Sequence, residues 1–259
     1  MNTYSSMGEQ EKLMIRNQLH SSFPIIQSVI EGVQQGQIFK SAHQDYWILH
    51  KAGFSEVFLH ADDGIALVDF INENHDLPKY FHIYNPPEKL TYVFRSRTEV
   101  FNVRERDRVQ LTYKEQQKEC NSRYLSEDEF TFTEVTQDNF DSLEVFNLDL
   151  ANKFWNGKKE FVTKGLGVFL KDKKDNPVSL CYAAAIAGEK AEIDVITNEQ
   201  YRGKGLAKRI VTLFIDRCLE KNLTTSWDCF PENIASLNTA IGLNFTEKKS
   251  YNFLSIYRK

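Results

Sequence analysis

The chain has 259 residues, of which 41% are hydrophobic and 26% are charged, a balance typical of a soluble globular protein and not of a disordered or fibrous one. A formal net charge of -4 argues against a dedicated nucleic-acid binder, which normally carries a basic face, so we expect no nucleic-acid partner. The 4 cysteines have no CxxC spacing, and the 6 histidines all lie in the first third of the chain, so we predict no metal site.

The N-terminal half is predicted to be α+β. A helix is predicted after Pro24, because apolar residues follow at helical spacing, at positions 26, 29, 30 and 33. Strands are predicted over residues 45–50, 54–59, 80–84 and 109–113. No internal repeat is apparent in the sequence, and the irregularly spaced histidines are interpreted as strand or surface residues. This half indicates no chemistry.

A charged run over residues 114–119 and a polar run over residues 126–129 are the best candidates for a domain boundary. We therefore place the division near residue 125, which gives an N-terminal domain over residues 1–125 and a C-terminal domain over residues 126–259.

The C-terminal half has a more regular pattern. The order predicted is a strand, helices, three antiparallel strands, a helix, a strand, a helix and a strand. The predicted strands begin at Phe130 and cover residues 168–170, 178–187, 191–197, 224–229 and 251–257; the predicted helices cover residues 139–154, 205–221 and 233–241.

The loop between the strand over residues 191–197 and the helix after it is typical of an anion site. Gly203 and Gly205 allow the backbone to approach a phosphate closely, and the first N–H groups of a helix have no partner within the helix. Arg202, Lys204 and Lys208 add positive charge. The spacing fits neither a P-loop nor a dinucleotide-binding loop.

At these residues the sequence resembles the GNAT acyltransferase superfamily, whose pyrophosphate motif R/Q-x-x-G-x-G/A is matched by Arg202, Gly205 and Ala207, with Tyr201 just ahead. More narrowly, it is similar to the group that includes the zwittermicin A resistance acetyltransferase. The strong resemblance covers residues 190–246, and the order of strands extends it weakly back to residue 128. It implies a GNAT fold in the C-terminal half, with a mixed, mostly antiparallel sheet flanked by helices, preceded by a smaller α+β domain.

The resemblance implies that acetyl-CoA is bound as co-substrate where the strand before the loop splays from its neighbour. The backbone of Val195, Ile196 and Thr197 would then pair with the pantetheine arm. The pyrophosphate would be held by the amides of Arg202, Gly203, Lys204, Gly205, Leu206 and Ala207. Asn233 and Ser236 would face the cofactor from the following helix, although Asn233 is equally suited to cap that helix.

Catalytic residues are less well defined. The resemblance places Ala240 where many relatives have a tyrosine that protonates the thiolate, which leaves Ser236, Cys229 or water as candidates. Glu192 and Asp194 lie on one face of their strand, and either is a candidate base for the amine. We prefer Glu192, and Asp228 is a further candidate.

We therefore expect an N-acetyltransferase that acetylates a primary amine of a small molecule, with the N-terminal domain covering the acceptor pocket. The alternatives are acetylation of protein or peptide amines, and a CoA-binding module with little activity. The first residues lack the apolar core of a signal peptide, and no apolar run reaches the roughly 18 residues needed to span a membrane. We expect a cytoplasmic protein.

Overall fold

The computed structural model describes residues 4–60, 64–114 and 129–259. The chain divides into two compact units, with Met1–Arg108 and Ser250–Lys259 in unit 1 and Val109–Lys249 in unit 2. The predicted division at residue 125 lies outside the described residues.

Unit 1 begins with a short strand and two helices and continues with three strands that alternate in direction. Helix α2 occurs where the proline and the apolar spacing predict it, and Pro24 is its first residue. The elements of the first half are β1 (Ser5–Ser6), α1 (Glu9–Ile15), α2 (Pro24–Glu31), β2 (Gly36–Lys40), β3 (Tyr46–His50), β4 (Phe54–Phe58), α3 (Ile65–Glu73), β5 (Tyr80–Tyr84), α4 (Glu88–Ser96) and β6 (Phe101–Tyr113).

Unit 2 contains the elements on which the site is built. The order predicted for this half is confirmed, with small differences in the bounds. The elements are β7 (Thr131–Glu134), a 3-10 helix (Phe140–Phe146), α5 (Leu150–Phe154), α6 (Lys158–Lys164), β8 (Gly167–Lys171), β9 (Pro177–Ala187), β10 (Lys190–Thr197), α7 (Leu206–Glu220), β11 (Thr224–Cys229), α8 (Ile234–Ile241) and β12 (Phe245–Arg258).

The single helix predicted over residues 139–154 is wrong. The 3-10 helix ends at Asn147, which has a left-handed φ of 51° and so cannot continue a right-handed helix. A new helix, α5, then begins at Asp149, whose carboxylate accepts a hydrogen bond from the amide of Asn152.

The strands belong to one 12-stranded sheet in the order β1-β2-β3-β4-β5-β12-β6-β11-β10-β9-β8-β7. The pairs β4–β5 and β10–β11 are parallel. The neighbouring pairs in β2-β3-β4 and in β8-β9-β10 are antiparallel. The predicted mixed, mostly antiparallel sheet with helices is therefore confirmed. The prediction of a separate N-terminal domain is not, because the sheet takes strands from the whole chain.

The two halves of the chain repeat the same series of elements. In each half a strand and a helical segment precede three antiparallel strands, then a helix, a parallel strand, a helix and a long strand. The last strand of each series completes the other unit: residues 109–112 of β6 pair with β11, and residues 253–257 of β12 pair with β5. The structure thus contains a repeat that is not apparent from the sequence.

Helix α7 packs on one face of the sheet in unit 2. Its residues Ile210, Val211, Phe214 and Cys218 are fully buried in the core of this unit. Burial raises the pKa of the Cys218 thiol to about 12, so this cysteine stays neutral and packs as an apolar group. Of the helices that the structure describes, none has the length and apolarity needed to span a membrane.

Candidate functional site

Strands β10 and β11 separate part of the way along their length. They pair in parallel at only three positions, the last of which is Glu192 opposite Ser226. Immediately after Glu192 the pairing of β10 with β9 shifts by one residue, with Ala184 as the extra residue in β9. A bulge bends a strand and increases its twist. The bulge therefore lies where the pairing of β10 with β11 ends, and Val195, Ile196 and Thr197 pair with β9 but not with β11.

The loop after β10 leads directly into α7. A short 3-10 turn over Glu199–Tyr201 is followed by Gly203 and Gly205, which have φ values of 77° and 76°. A Cβ added at either glycine would have no atom within 4 Å, so the space in front of both is open. Gly205 is the N-cap residue of α7 and offers no side-chain acceptor to the helix. The backbone therefore faces an unfilled space here.

The amides that line this space lack protein partners. Among the described residues, the backbone N–H groups from Gly203 to Lys208 form no hydrogen bond, and the first such bond of the helix runs from the Arg209 amide to the Gly205 carbonyl. Unpaired amides at a helix N-terminus, together with the helix dipole, attract an anion. We call the segment Gly203–Lys208 the amide cradle.

Three cations surround the amide cradle. The exposed Arg202 is folded back, with its Nε donating to the Thr197 carbonyl at 3.2 Å and its Nη1 lying 3.3 Å from Glu199. Lys204 Nζ lies 5.1 Å from the centre of the Tyr201 ring. Lys208 reaches toward the end of α8, since a Cβ built on Gly242 would lie 2.6 Å from its Nζ. The positive charge predicted for this loop is present.

The loop is fastened to the turn between β8 and β9. The Tyr201 hydroxyl donates to Asp172 Oδ2 at 2.7 Å, and the amide of Asn198 donates to the Val178 carbonyl at 3.0 Å. The hydrogen bonds from Tyr201, and then those from Asn176, lower the pKa of Asp172 to about 2. Asp172 is therefore ionised throughout the physiological range.

Two carboxylates lie on β10, as predicted. Asp194 lies in the open part of the strand, is exposed, and accepts a hydrogen bond of 2.6 Å from the buried hydroxyl of Tyr182. Glu192 occupies the last position that still pairs with β11 and is partly buried. Burial, and then the charge of Asp194, raise the pKa of Tyr182, so that its hydroxyl stays protonated and donates to the carboxylate.

Helix α8 carries the other residues that the resemblance singles out. Asn233 caps this helix, since its Oδ1 accepts from the Ser236 amide at 3.2 Å. The Ser236 hydroxyl accepts from the indole N–H of Trp227 at 3.0 Å. Ala240 is completely buried, so the position of the family tyrosine carries no polar group. Asn244, which follows the helix, has a φ of 65°, a conformation that asparagine tolerates.

The structure thus brings the strand residues, the loop residues and the two carboxylates together around the separation of β10 from β11. Sequence analysis did not identify Tyr182 or Asp172 as residues of the site. Both are polar residues in or next to strands that the sequence predicted, but their partners are set by strand register. Among the residues that the structure describes, no group of His, Cys, Asp and Glu side chains is placed to hold a metal ion.

Comparison with known proteins identifies the family of the chain. The family model for GNAT acetyltransferase matches residues 20–254. A Bacillus subtilis protein named uncharacterized N-acetyltransferase YdfB is 32% identical over 117 residues, which cover 45% of this chain and 44% of that protein. The match therefore spans less than half of the length of this curated relative.

Two solved structures share the fold over nearly the whole chain. A GCN5-related N-acetyltransferase-like protein from Streptococcus suis has a TM-score of 0.72 and 21% identity, with 97% of this chain and 100% of that chain covered. A tandem GNAT protein from the clavulanic acid biosynthesis pathway has a TM-score of 0.60 and 8% identity, with 98% of each chain covered. The family model, which matches most of the chain, shows that this protein belongs to the GNAT acetyltransferase family.

Proposed function

We propose that the protein transfers the acetyl group of acetyl-CoA to a primary amine of a small molecule. The observation that carries the proposal is the amide cradle, whose unpaired N–H groups open into free space beside the separated end of β10. In physical terms this is a site for the diphosphate of a nucleotide cofactor next to a strand edge for an extended chain.

The residues present fit acetyl-CoA. The backbone of Val195, Ile196 and Thr197 would pair with the pantetheine arm as an added strand, and the amide cradle together with Arg202 would hold the pyrophosphate. When bound, acetyl-CoA supplies an activated acetyl thioester. Asn233 would present its Nδ2 group to the cofactor while its Oδ1 caps α8, so the two roles that the sequence allows for this residue are compatible.

The acceptor amine must be neutral to react, so a base or a chain of water molecules has to remove its proton. Asp194 and Glu192 are the candidates, and the geometry favours Asp194. It lies beyond the separation of the strands, it is exposed, and the Tyr182 hydroxyl fixes one of its oxygens while leaving the other available. Glu192 remains the second candidate.

No side chain is an obvious acid for the leaving thiolate. Ser236 is the candidate on α8. Its hydroxyl accepts from Trp227, so its own proton remains available for donation. Ala240 favours the alternative of a CoA-binding module with little activity, since the position of the usual tyrosine is apolar and enclosed. The resemblance to the zwittermicin A resistance group supports an aminated natural product as the acceptor, by analogy with the family.

The experiment that tests the proposal measures thiol release from acetyl-CoA over a panel of amines, including amino sugars, polyamines, amino acids and lysine-containing peptides. We expect turnover with one class of small amine and none with peptides. Turnover with peptides alone would support protein acetylation, whereas tight binding of acetyl-CoA without turnover would support the binding module. Lack of measurable affinity for acetyl-CoA by calorimetry would contradict all three.

We also expect one acetyl-CoA site per chain, although the element order is repeated. Helix α3 begins after Gly64, which has a φ of 91° and corresponds to Gly205 in the repeat. A Cβ at Gly64 would lie only 2.6 Å from Leu90 Cδ1, so a residue of α4 fills the space that is open at Gly205. Of the two corresponding helix starts, at Gly64 and Gly205, the one at Gly205 has open space for a diphosphate, so calorimetric titration should give about one acetyl-CoA per chain. A stoichiometry of about two per chain would contradict this prediction.

A further inference from the structure

The loop that carries the amide cradle is held by contacts with residues outside it, and these contacts affect the affinity for acetyl-CoA. We infer that Tyr201 and Asp172 form a clasp that holds the amide cradle in its binding conformation before acetyl-CoA arrives. Tyr201 is thus a positioning residue, and it acts through the backbone of the loop. The inference rests on the proposed function, since it concerns how the same site binds its cofactor.

The loop needs support from residues outside it. Two residues of the amide cradle, Gly203 and Gly205, have positive φ values, and no atom lies within 4 Å of where their Cβ atoms would be. Glycine loses more backbone conformational freedom on ordering than any other residue, so an unsupported glycine segment is costly to order. Because nothing packs in front of these two glycines, the part of the loop that contains them depends on its flanking residues for a defined conformation.

The Asp172 side of the clasp is held in place by the turn that contains it. Asp172 Oδ1 accepts from the amides of Lys174 at 2.9 Å and Asn176 at 3.0 Å, so the carboxylate is built into the turn between β8 and β9. Its other oxygen, Oδ2, accepts from Tyr201. Because hydrogen bonds to an ionised group are roughly twice as strong as neutral ones, this is a firm attachment point.

The Tyr201 ring has further contacts besides the hydrogen bond of its hydroxyl. Phe130 packs edge-on against the ring with centroids 6.2 Å apart, and Arg209 in the first turn of α7 donates to the Phe130 carbonyl at 3.2 Å. Lys204 lies over the ring. Through Phe130, the clasp therefore links the turn between β8 and β9 with Tyr201, which precedes the amide cradle, and with Arg209, which follows it.

Electrostatic repulsion and pre-organisation of the loop predict opposite effects on the affinity for acetyl-CoA when the charge of Asp172 is removed. A carboxylate beside a diphosphate site repels the ligand, so that removing its charge would tighten binding if charge alone mattered. If Asp172 instead orders the loop, removing its charge weakens binding, because the ordering then has to occur on binding. The sign of the change separates the two explanations.

The test uses acetyl-CoA titrations of Tyr201→Phe, Asp172→Asn and the double variant. Tyr201→Phe keeps the ring contacts and loses only the hydroxyl, and we expect an affinity about fivefold lower, as for the loss of one charge-assisted hydrogen bond at a partly exposed site. Asp172→Asn keeps an oxygen for the turn amides and replaces the other by a donor, and we expect an affinity about threefold lower. The double variant should be no weaker than Tyr201→Phe, because both changes break the same bond.

Asp175→Asn is the matched control. Asp175 lies in the same turn and pairs with Lys171 at 3.0 Å, and asparagine tolerates its φ of 65°. This variant removes the same charge from the same turn without touching the clasp, so its affinity for acetyl-CoA should equal or exceed that of the unchanged protein. With an amine that turns over, Tyr201→Phe should raise the KM for acetyl-CoA and leave kcat unchanged.

A second measurement needs no cofactor. Trypsin cleaves after Arg202 and Lys204, and in the free protein Tyr201→Phe should speed cleavage there severalfold, whereas Asp175→Asn should not. Unchanged affinity and unchanged cleavage in Tyr201→Phe, or tighter binding by Asp172→Asn, would overturn the inference. Faster cleavage in a protein that has no affinity for acetyl-CoA would support the clasp and contradict the proposed function.

Discussion

Replacing Gly205 by aspartate is expected to lower the affinity for acetyl-CoA by about 100-fold, whereas replacing it by asparagine should lower it by about tenfold. Both side chains extend from the N-cap residue of α7 into the open space in front of the amide cradle. Only aspartate adds a negative charge where the diphosphate would lie. The factor between the two variants therefore measures the repulsion between that charge and the phosphates.

The comparison isolates the effect of the charge, because the aspartate and asparagine side chains have nearly the same shape and the same backbone requirement. Gly205 has a φ of 76°, which aspartate and asparagine tolerate better than other residues, and no atom lies within 4 Å of the new Cβ. Thermal unfolding of the two variants should therefore occur at similar temperatures. Calorimetry with acetyl-CoA gives the affinities, and raising the salt concentration should narrow the difference between them.

Equal affinities for the two variants would show that no anionic group lies at Gly205. If both variants bind as tightly as the unchanged protein, the diphosphate is not held at this helix start, and the assignment of the amide cradle is wrong.

The sequence was sufficient to predict this loop because the features that define it are local. Two glycines and three cations between a strand and a long helix are visible without any knowledge of the fold, and the structure has the loop and the helix where they were expected. The same holds for α2, whose proline and apolar spacing define it.

The repeat of the element order was not predictable in the same way. It is a property of strand pairing, and the strand that completes each unit comes from the other half of the chain. Residues that pair at such a separation leave no periodic signal within either segment. The helix predicted over residues 139–154 was wrong for a more local reason, because Asn147 in a left-handed conformation ends one helical segment before the next begins.

The pairing of Tyr182 with Asp194 was missed because of the bulge. Near the hairpin, Lys190 lies opposite Ala187 and Glu192 opposite Ala185. Continuing that register would place Tyr182 opposite Val195, whose side chain offers no acceptor. The extra residue in β9 shifts the register by one and brings Asp194 opposite Tyr182. The feature that opens the strands therefore also assembles this pair.

Loss of the Asp194 carboxylate is expected to slow acetyl transfer. Asp194→Asn should lower kcat/KM for the amine by about 100-fold near neutral pH, the lower end of the range for general base catalysis, with unchanged affinity for acetyl-CoA. Glu192→Gln is the matched control, because it removes the same charge two residues earlier on the same strand face, where β10 still pairs with β11. We expect it to change kcat/KM by less than about threefold, since neutral replacements away from the reacting atoms have small effects. The opposite ranking of the two variants would identify Glu192 as the base.

The pH dependence of kcat and that of KM, measured separately, distinguish a base from a residue that only binds the amine. An alkylamine has a pKa near that of lysine, about 10.4, so most of it carries a proton at neutral pH and little does at high pH. If Asp194 accepts that proton, the deficit of Asp194→Asn should shrink steadily as the pH rises from about 7 to about 10, because the solvent then delivers neutral amine. If Asp194 only attracts the ammonium group, the variant binds the neutral amine no worse, and its deficit appears in KM with kcat preserved at every pH. A deficit in kcat that stays constant with pH would contradict the assignment of Asp194 as the base.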